Sequence, residues 1–295
     1  MNIFQIDQIA IIIVSSLLLL LLPFFLIEGA FVLKENKDLS FKVNNNYKVN
    51  TTGIYLINLD KAKDRLEQIN PLLADVGLPV IRFSAVYGKD LTDEYIDSIV
   101  DYDSYEKFLA KEPGKGTIGC YLSHVKTWEE FLKSDYEYAF IFEDDVSFDP
   151  RQVKEVYNEL LEKKQLWDIS SLDINHRGSP VMISKLSNNL NLVIYKYKVT
   201  NAGCYIINRT AALQLLKYAY PIKMPIDHYF TRTWELKLKF TGVEPRIVRQ
   251  TFGDSYINSH EELYNRTVNV KLHRVIYEIK TAVIRYYDAL LSLYS

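Results

Sequence analysis

The sequence predicts an α/β domain with a mostly parallel central sheet, and three observations carry that expectation. From Gly53 onward, short apolar runs alternate with segments of helical spacing, without an internal repeat. Residues 138–142, YAFIF, form a continuous apolar run between polar neighbours, the pattern of a strand buried on both faces. The chain has 295 residues, 48% hydrophobic and 24% charged, enough for one domain with a sizeable core.

The first 34 residues stand apart. Residues 9–27, IAIIIVSSLLLLLLPFFLI, are uncharged and about as long as a bilayer span. No Lys or Arg precedes them and the run exceeds a signal-peptide h-region, which favours an uncleaved anchor. Ser15, Ser16 and Pro23 are tolerated in spanning helices. Lys34, Lys37 and Lys42 follow the span, so the expectation is a single-pass membrane protein whose globular part faces the cytosol. Residues 35–52 are polar and Asn-rich and read as a juxtamembrane linker.

The domain is expected over 53–257. GIYLINL (53–59) reads as a buried strand, with Asp60 placed to cap a helix carrying Leu66, Ile69, Leu73 and Val76 on one face. Pro71 should kink that helix or end it early. Residues 79–86 form a second strand, closed by Gly88, and the polar stretch 89–116 reads as a mobile loop. Tyr121, Val125, Trp128 and Leu132 give residues 120–133 helical spacing. Asp149-Pro150 reads as an N-cap followed by proline at the first helical position, opening a helix near 151–164. Further strands are expected at 167–172, 192–199 and 203–208, and further helices near 210–219 and 228–240.

Residues 258–295 are expected to form an amphipathic helical tail. From 268 to 294 they place Leu272, Val275, Ile276, Ile279, Val283, Tyr287, Leu290 and Leu291 on one helical face, with Lys271, Arg274, Lys280 and Arg285 mostly off it. Such a helix either packs on the domain or rests on a membrane surface.

A net charge of −2 gives no support for nucleic acid as partner. Cys120 and Cys204 cannot build a disulfide framework; a single bridge is one reading, and their apolar surroundings favour buried thiols.

The chemistry concentrates where the apolar run meets Glu143, Asp144 and Asp145. A solvated loop is the plain alternative. Strand, acidic turn and helix instead place these carboxylates at the carboxyl end of a central strand, where open α/β sheets bind ligands. Extended geometry would turn Glu143 and Asp145 to one side and Asp144 to the other. Two converging carboxylates are costly alone and favourable around a hard cation such as Mn²⁺ or Mg²⁺.

Several separated motifs then agree: IYLINLDKAKDR (54–65), RFSAVYGKDL (82–91), IGCYLSH (118–124), YAFIFEDDVSFDP (138–150), TNAGCYIINRTAA (200–212), PID (225–227) and PRIVRQTFGDSYI (245–257). In order and spacing the chain resembles glycosyltransferase family 25, which includes bacterial lipooligosaccharide β-galactosyltransferases and collagen galactosyltransferases. The resemblance implies a GT-A fold and inverting transfer of galactose or glucose from a UDP-sugar to a glycan or glycolipid acceptor, with a role in lipooligosaccharide synthesis as one setting. It implies Mn²⁺ or Mg²⁺ at Glu143 and Asp145, and donor contacts from Asn58, Arg65, Ala85, Gly88, His124 and Asp144. The chain departs from the family pattern at Thr117, where Glu is usual. Inversion in one displacement needs a base for the acceptor hydroxyl; Asp227 is the candidate, with helix N-cap as its other reading. A metal-dependent phosphoesterase and an inactive interaction protein of the same fold are the alternatives.

Overall fold

The computed structural model describes residue 16, residues 42–251 and residues 268–294. The apolar run 9–27, apart from Ser16, lies outside the described residues, and so do residues 35–41 of the expected linker and the 252–267 segment; the linker expectation is corrected for its end, because Lys48–Thr52 already belong to the first strand. Among the described residues no helix is long and apolar enough to cross a membrane.

In chain order the domain opens with β1 (Lys48–Asn58), α1 (Lys63–Val76) and β2 (Val80–Ser84), followed by α2 (Asp93–Ile99), α3 (Tyr102–Leu109) and α4 (Lys115–Lys133). Next come β3 (Tyr136–Glu143), β4 (Val146–Phe148) and α5 (Pro150–Glu162), then β5 (Ile169–Ser171), β6 (Asn175–His176), β7 (Val181–Lys185), β8 (Asn191–Ile194), β9 (Val199–Thr200) and β10 (Cys204–Asn208). The chain continues through α6 (Arg209–Lys217), α7 (Ile226–Phe230), α8 (Thr233–Leu236), β11 (Phe240–Glu244), β12 (Val248–Gln250) and α9 (Val268–Tyr294).

Eight strands form one sheet in the order β2-β1-β3-β10-β5-β11-β8-β7. β2, β1, β3, β5, β11 and β7 run one way, and β10 and β8 run against them. The sheet is thus mostly parallel in strand direction, while β10 and β8 make it mixed. Both faces are covered, as the continuous apolar runs require. Ile54 and Leu56 of β1, Phe140 and Phe142 of β3 and Ile206 of β10 pack beneath α1 and α5 with Ile69, Leu73, Val153 and Leu160. The alternate residues Tyr55, Ile57, Ile141, Tyr205 and Ile207 pack on the other face against Leu122, Val125 and Trp128 of α4 and Leu215 of α6. The two-residue period of the strands splits the core into these two layers.

The parallel register positions the site. Ile57 of β1 pairs with Glu143 of β3, and Asn58 pairs with Ser84 of β2. Three strand ends therefore finish side by side, each running on into polar residues.

Several local expectations are corrected. Asp60 does not cap α1; the N-cap is Ala62, and the Asp60 carboxylate instead accepts from Arg82 Nη2 (2.6 Å) and Ser84 Oγ (2.8 Å). α1 does not end at Pro71 but continues to Val76. Glu67, whose carbonyl loses its partner, and Pro71 both lie on the exposed face, where water can serve that carbonyl, while Ile69, Leu73 and Val76 hold the buried one. The stretch read as a mobile loop holds α2 and α3, capped by Thr92 accepting from Tyr95 N–H and Asp101 accepting from Ser104 N–H, and Ile96, Tyr105 and Phe108 are buried there. The helix expected at 228–240 is two short ones, α7 and α8, before β11 begins at Phe240. Asp149 caps α5 with Pro150 behind it, as expected.

The tail helix spans the expected residues and packs on the domain. Tyr277 stacks edge-on against Phe108 with centroids 5.1 Å apart, Arg274 donates to the Leu109 carbonyl, and Arg285 and Ala289 are buried. Val275, Ile279 and Tyr287 face outward. Among the described side chains, Arg274, Tyr277 and Arg285 make contacts with the domain.

Candidate active site

At the carboxyl ends of β1 and β3 lies a cavity of about 320 Å³, lined among others by Arg65, Ala85, Gly88, His124, Glu143, Asp144 and Asp145. Seven of the nine residues singled out from sequence meet there. Asn58 is buried just behind the wall, its Nδ2 donating to Asp144 Oδ2 (2.7 Å) and to the Ala62 carbonyl (3.0 Å). Asp227 does not line this cavity.

The three carboxylates have different partners. The strand ends at Glu143, and Asp144 and Asp145 form a turn before β4, so strict alternation stops one residue into the triplet. Asp144 is held by Asn58 and by Arg65, whose Nη1 lies 3.0 Å from Oδ1. Glu143 accepts from Gln250 Nε2 (2.9 Å) on Oε2 and lies 3.0 Å from His124 Nε2 on Oε1. Asp145 is the least satisfied: its Oδ1 is buried without a hydrogen bond, and Arg65 stands 3.8 Å from its other oxygen. Burial, then the charges of Glu143 and Asp144, push the Asp145 carboxyl up to about 7.

The hydrogen bonds determine the tautomer of His124. Trp128 Nε1, which can only donate, gives its proton to the Tyr205 hydroxyl (2.9 Å). That hydroxyl is then free to donate to His124 Nδ1 (2.8 Å), leaving the imidazole proton on Nε2 for Glu143. Cys120, one turn before His124, directs its thiol to the same Glu143 oxygen (3.9 Å), and burial pushes that thiol up so that it stays protonated. Cys120 and Cys204 are both free thiols. His124 therefore acts here as an orienting group for Glu143, within a buried chain that starts at Trp128.

Gly88 is required for a reason other than ligand approach. A Cβ there would lie 1.8 Å from the Lys115 carbonyl oxygen, and one at Gly119 would lie 2.7 Å from the Gly88 nitrogen. The 85–88 loop and α4 touch backbone to backbone. Ser123 fastens the contact, its Oγ accepting from Val86 N–H (2.8 Å) and donating to the Gly119 carbonyl (2.7 Å).

Some contributors were missed from sequence. Gly114, Lys115 and Gly116, placed in a mobile loop, form the N-terminus of α4 and line the cavity, an arrangement of backbone N–H groups that suits an anion. Thr117, where the family pattern has Glu, sits in that first turn. Asp173 follows β5, fully buried, with Asn201 Nδ2 at 3.4 Å and Arg246 at 3.7 Å; burial pushes its carboxyl up to about 6. Its position after SSL at a strand end was the available signal. Asp227 lies within the first turn of α7, where Pro225 occupies the N-cap position. Its Oδ1 accepts from His228 N–H (2.8 Å) and its Oδ2 lies 3.4 Å from Asn201 N. The N-cap reading of Asp227 is therefore not the observed one.

The comparisons follow this geometry. Residues 51–230 match the profile of glycosyltransferase family 25, described as LPS biosynthesis protein. Procollagen galactosyltransferase 1-A of Xenopus laevis is 26% identical over 189 residues, 62% of this chain and 31% of that protein. A glycosyltransferase 25 family member of Aedes aegypti is 32% identical over 209 residues, 68% of this chain and 34% of its own. The chain thus spans about a third of the length of the curated relatives it matches. Among solved structures, the inositol-1-phosphate CTP transferase from T. maritima covers 77% of each chain at 12% identity with a TM-score of 0.34, too loose a likeness to build on. With the profile matched over more than half its length, from β1 to the end of α7, the chain belongs to glycosyltransferase family 25.

Proposed function

We propose that the protein transfers a hexose, galactose or glucose, from a UDP-sugar to a glycan or glycolipid acceptor with inversion, using a divalent cation. The observation that carries the reading is the cavity at the strand ends, where three carboxylates, an orphaned Asp145 oxygen and the N-terminus of α4 converge. A buried carboxylate oxygen without a hydrogen-bond partner is what a cation ligand looks like before the cation arrives. Asp145 with Glu143 would hold Mn²⁺ or Mg²⁺, which when bound supplies positive charge against the diphosphate of the leaving UDP.

The remaining work falls to the chain's own groups. Asn58 and Arg65 hold Asp144 in place, and His124 and Gln250 hold Glu143. Such support keeps the acidic cluster from rearranging while charge develops nearby. Lys89 and the first N–H groups of α4 border the cavity and suit phosphate oxygens, while the Lys115 ammonium is held by Asp93 and the Leu91 carbonyl. Asp227 is assigned the proton of the attacking acceptor hydroxyl. The anchor reading of residues 9–27, with the domain on the cytosolic face, belongs to the same proposal and rests on sequence pattern.

The test is UDP release from a panel of UDP-sugars with Mn²⁺, with and without glycan acceptors. Transfer from UDP-galactose or UDP-glucose that stops with chelator supports the reading. Phosphate release from simple esters with no sugar transfer would overturn it.

A further inference from the structure

A second cavity, of about 690 Å³, lies between the domain and α9, well within the range of small-ligand sites. Its wall carries Arg177, Lys198, Arg232, Arg274 and Arg285 against a single carboxylate, Glu278. The whole chain has a net charge of −2, so this excess of positive charge is local.

Pairing inside the wall does not remove the excess. Arg232 is matched by Glu235, and Arg274 by Glu278 at 3.1 Å. Among the described residues, Arg177, Lys198 and Arg285 have no carboxylate within ion-pair distance. Arg285 is the telling member. It is buried, donates from Nη1 to the Tyr197 carbonyl (2.9 Å) and lies 4.7 Å over the Trp234 ring. Asp288, one turn further along α9, offsets part of its charge from beyond ion-pair distance, and a buried guanidinium so weakly matched is costly unless an anion completes it. Burial and the neighbouring Arg232 lower its pKa to about 10, which still leaves it charged at neutral pH.

The cavity also borders the proposed base. His228 and Thr200 line it, the immediate neighbours of Asp227 and of the Asn201 that faces Asp227. Asp227 lies within electrostatic reach both of Lys198 on this wall and of Cys120 on the wall of the first cavity. Asp227 itself lines neither cavity, and its chain neighbour His228 is what brings it next to the second.

We propose that this basic cavity seats an anionic group, phosphate or carboxylate, carried by the acceptor glycan, so that the acceptor is a charged sugar whose free hydroxyl is presented at Asp227. The assignment rests on the transferase reading above.

The test has a binding arm and a transfer arm, both on the full chain. With UDP and Mn²⁺ present to fill the first cavity, binding of glucose 6-phosphate and of glucuronic acid is compared with glucose by calorimetry. A preference of roughly 10-fold to 100-fold for a charged sugar is expected, the range for hydrogen bonds to a charged group. Which of the two binds tighter separates phosphate from carboxylate. In Lys198→Glu with Arg177→Glu, both at the exposed rim, the preference should collapse; Arg285→Lys, which keeps the charge, should retain most of it. Equal binding of charged and neutral sugars by the wild type, or a preference that survives the double reversal, overturns the proposal. In the transfer arm, the ratio of kcat/KM for phosphorylated over dephosphorylated acceptors should fall with the same variants. UDP release without acceptor keeps the two failures apart. If release occurs but acceptor charge makes no difference, this proposal alone falls; if no UDP-sugar is turned over, the transferase reading falls with it.

Discussion

Replacing Asp145 by Asn should stabilise the cation-free protein at neutral pH while abolishing its response to Mn²⁺. The Asp145 carboxyl is pushed up to about 7 from an ordinary 3.8, by burial first and then by Glu143 and Asp144. Between those two values the folded state holds a proton that the unfolded state has released. Wild-type stability therefore falls as pH rises through that window and levels off above about 7. A shift of roughly 3 units at about 1.4 kcal/mol each sets a ceiling of about 4 kcal/mol. The side chain is 27% exposed, and water screening brings the expected effect to about 1–2 kcal/mol. For a domain of this size that is a rise in Tm of roughly 2–8 °C. Differential scanning fluorimetry in EDTA at pH 4 and pH 7.5 reads it directly. The Asn variant should melt with wild type at pH 4, where both side chains are neutral, and above it at pH 7.5. Adding MnCl₂ at about 100 times its Kd should raise the wild type by about 2.7 kcal/mol and leave the variant nearly where it was. An Asn variant that melts at or below wild type in EDTA at pH 7.5, or a gap equal at both pH values, would refute the reasoning.

Three further outcomes follow from particular contacts. Asp227→Asn keeps an acceptor for His228 N–H, so the fold and UDP-sugar binding should survive while turnover falls by roughly 10² to 10⁴; near-normal turnover in steady-state assays would place the base elsewhere. Gly88→Ala sets a Cβ 1.8 Å from the Lys115 carbonyl and forces main chain apart, so urea denaturation should show a loss of about 1–3 kcal/mol together with weakened donor binding. Tyr205→Phe strands the Trp128 donor and the His124 Nδ1 in fully buried positions, and a loss of about 1–3 kcal/mol is expected by the same measurement; a change below about 0.5 kcal/mol would mean that the chain of hydrogen bonds carries little.

Much of the site was legible because strand patterning is local. YAFIF followed by Glu143, Asp144 and Asp145 announces a strand buried on both faces that ends in charge, and β3 is that strand. Asp149-Pro150 marked the start of α5 from two adjacent residues. What failed also failed locally: Thr92 and Asp101 are caps that a polar composition disguised as loop, and Asp60 has a cap residue's chemistry but is taken by Arg82 and Ser84 across the strand ends. The tail helix shows the limit most clearly. Its apolar spacing correctly marks a helix over 268–294, yet among the described side chains Arg274, Tyr277 and Arg285 make contacts with the domain while Val275 and Ile279 face outward.

By itself the sequence determined the strands and helices that flank the acidic triplet, that the sheet is buried on both faces, and that the triplet stands at a strand end, because side-chain period and capping act over a few residues. Only the tertiary structure decided what each carboxylate does. Asn58 and Arg65 reach Asp144 from 79 or more residues away, Gln250 reaches Glu143 across 107, and Asp145 is left with an unmatched oxygen. Which of three adjacent acids is satisfied and which is left open depends on donors brought in by other strands and helices, and spacing along the chain does not encode their arrival.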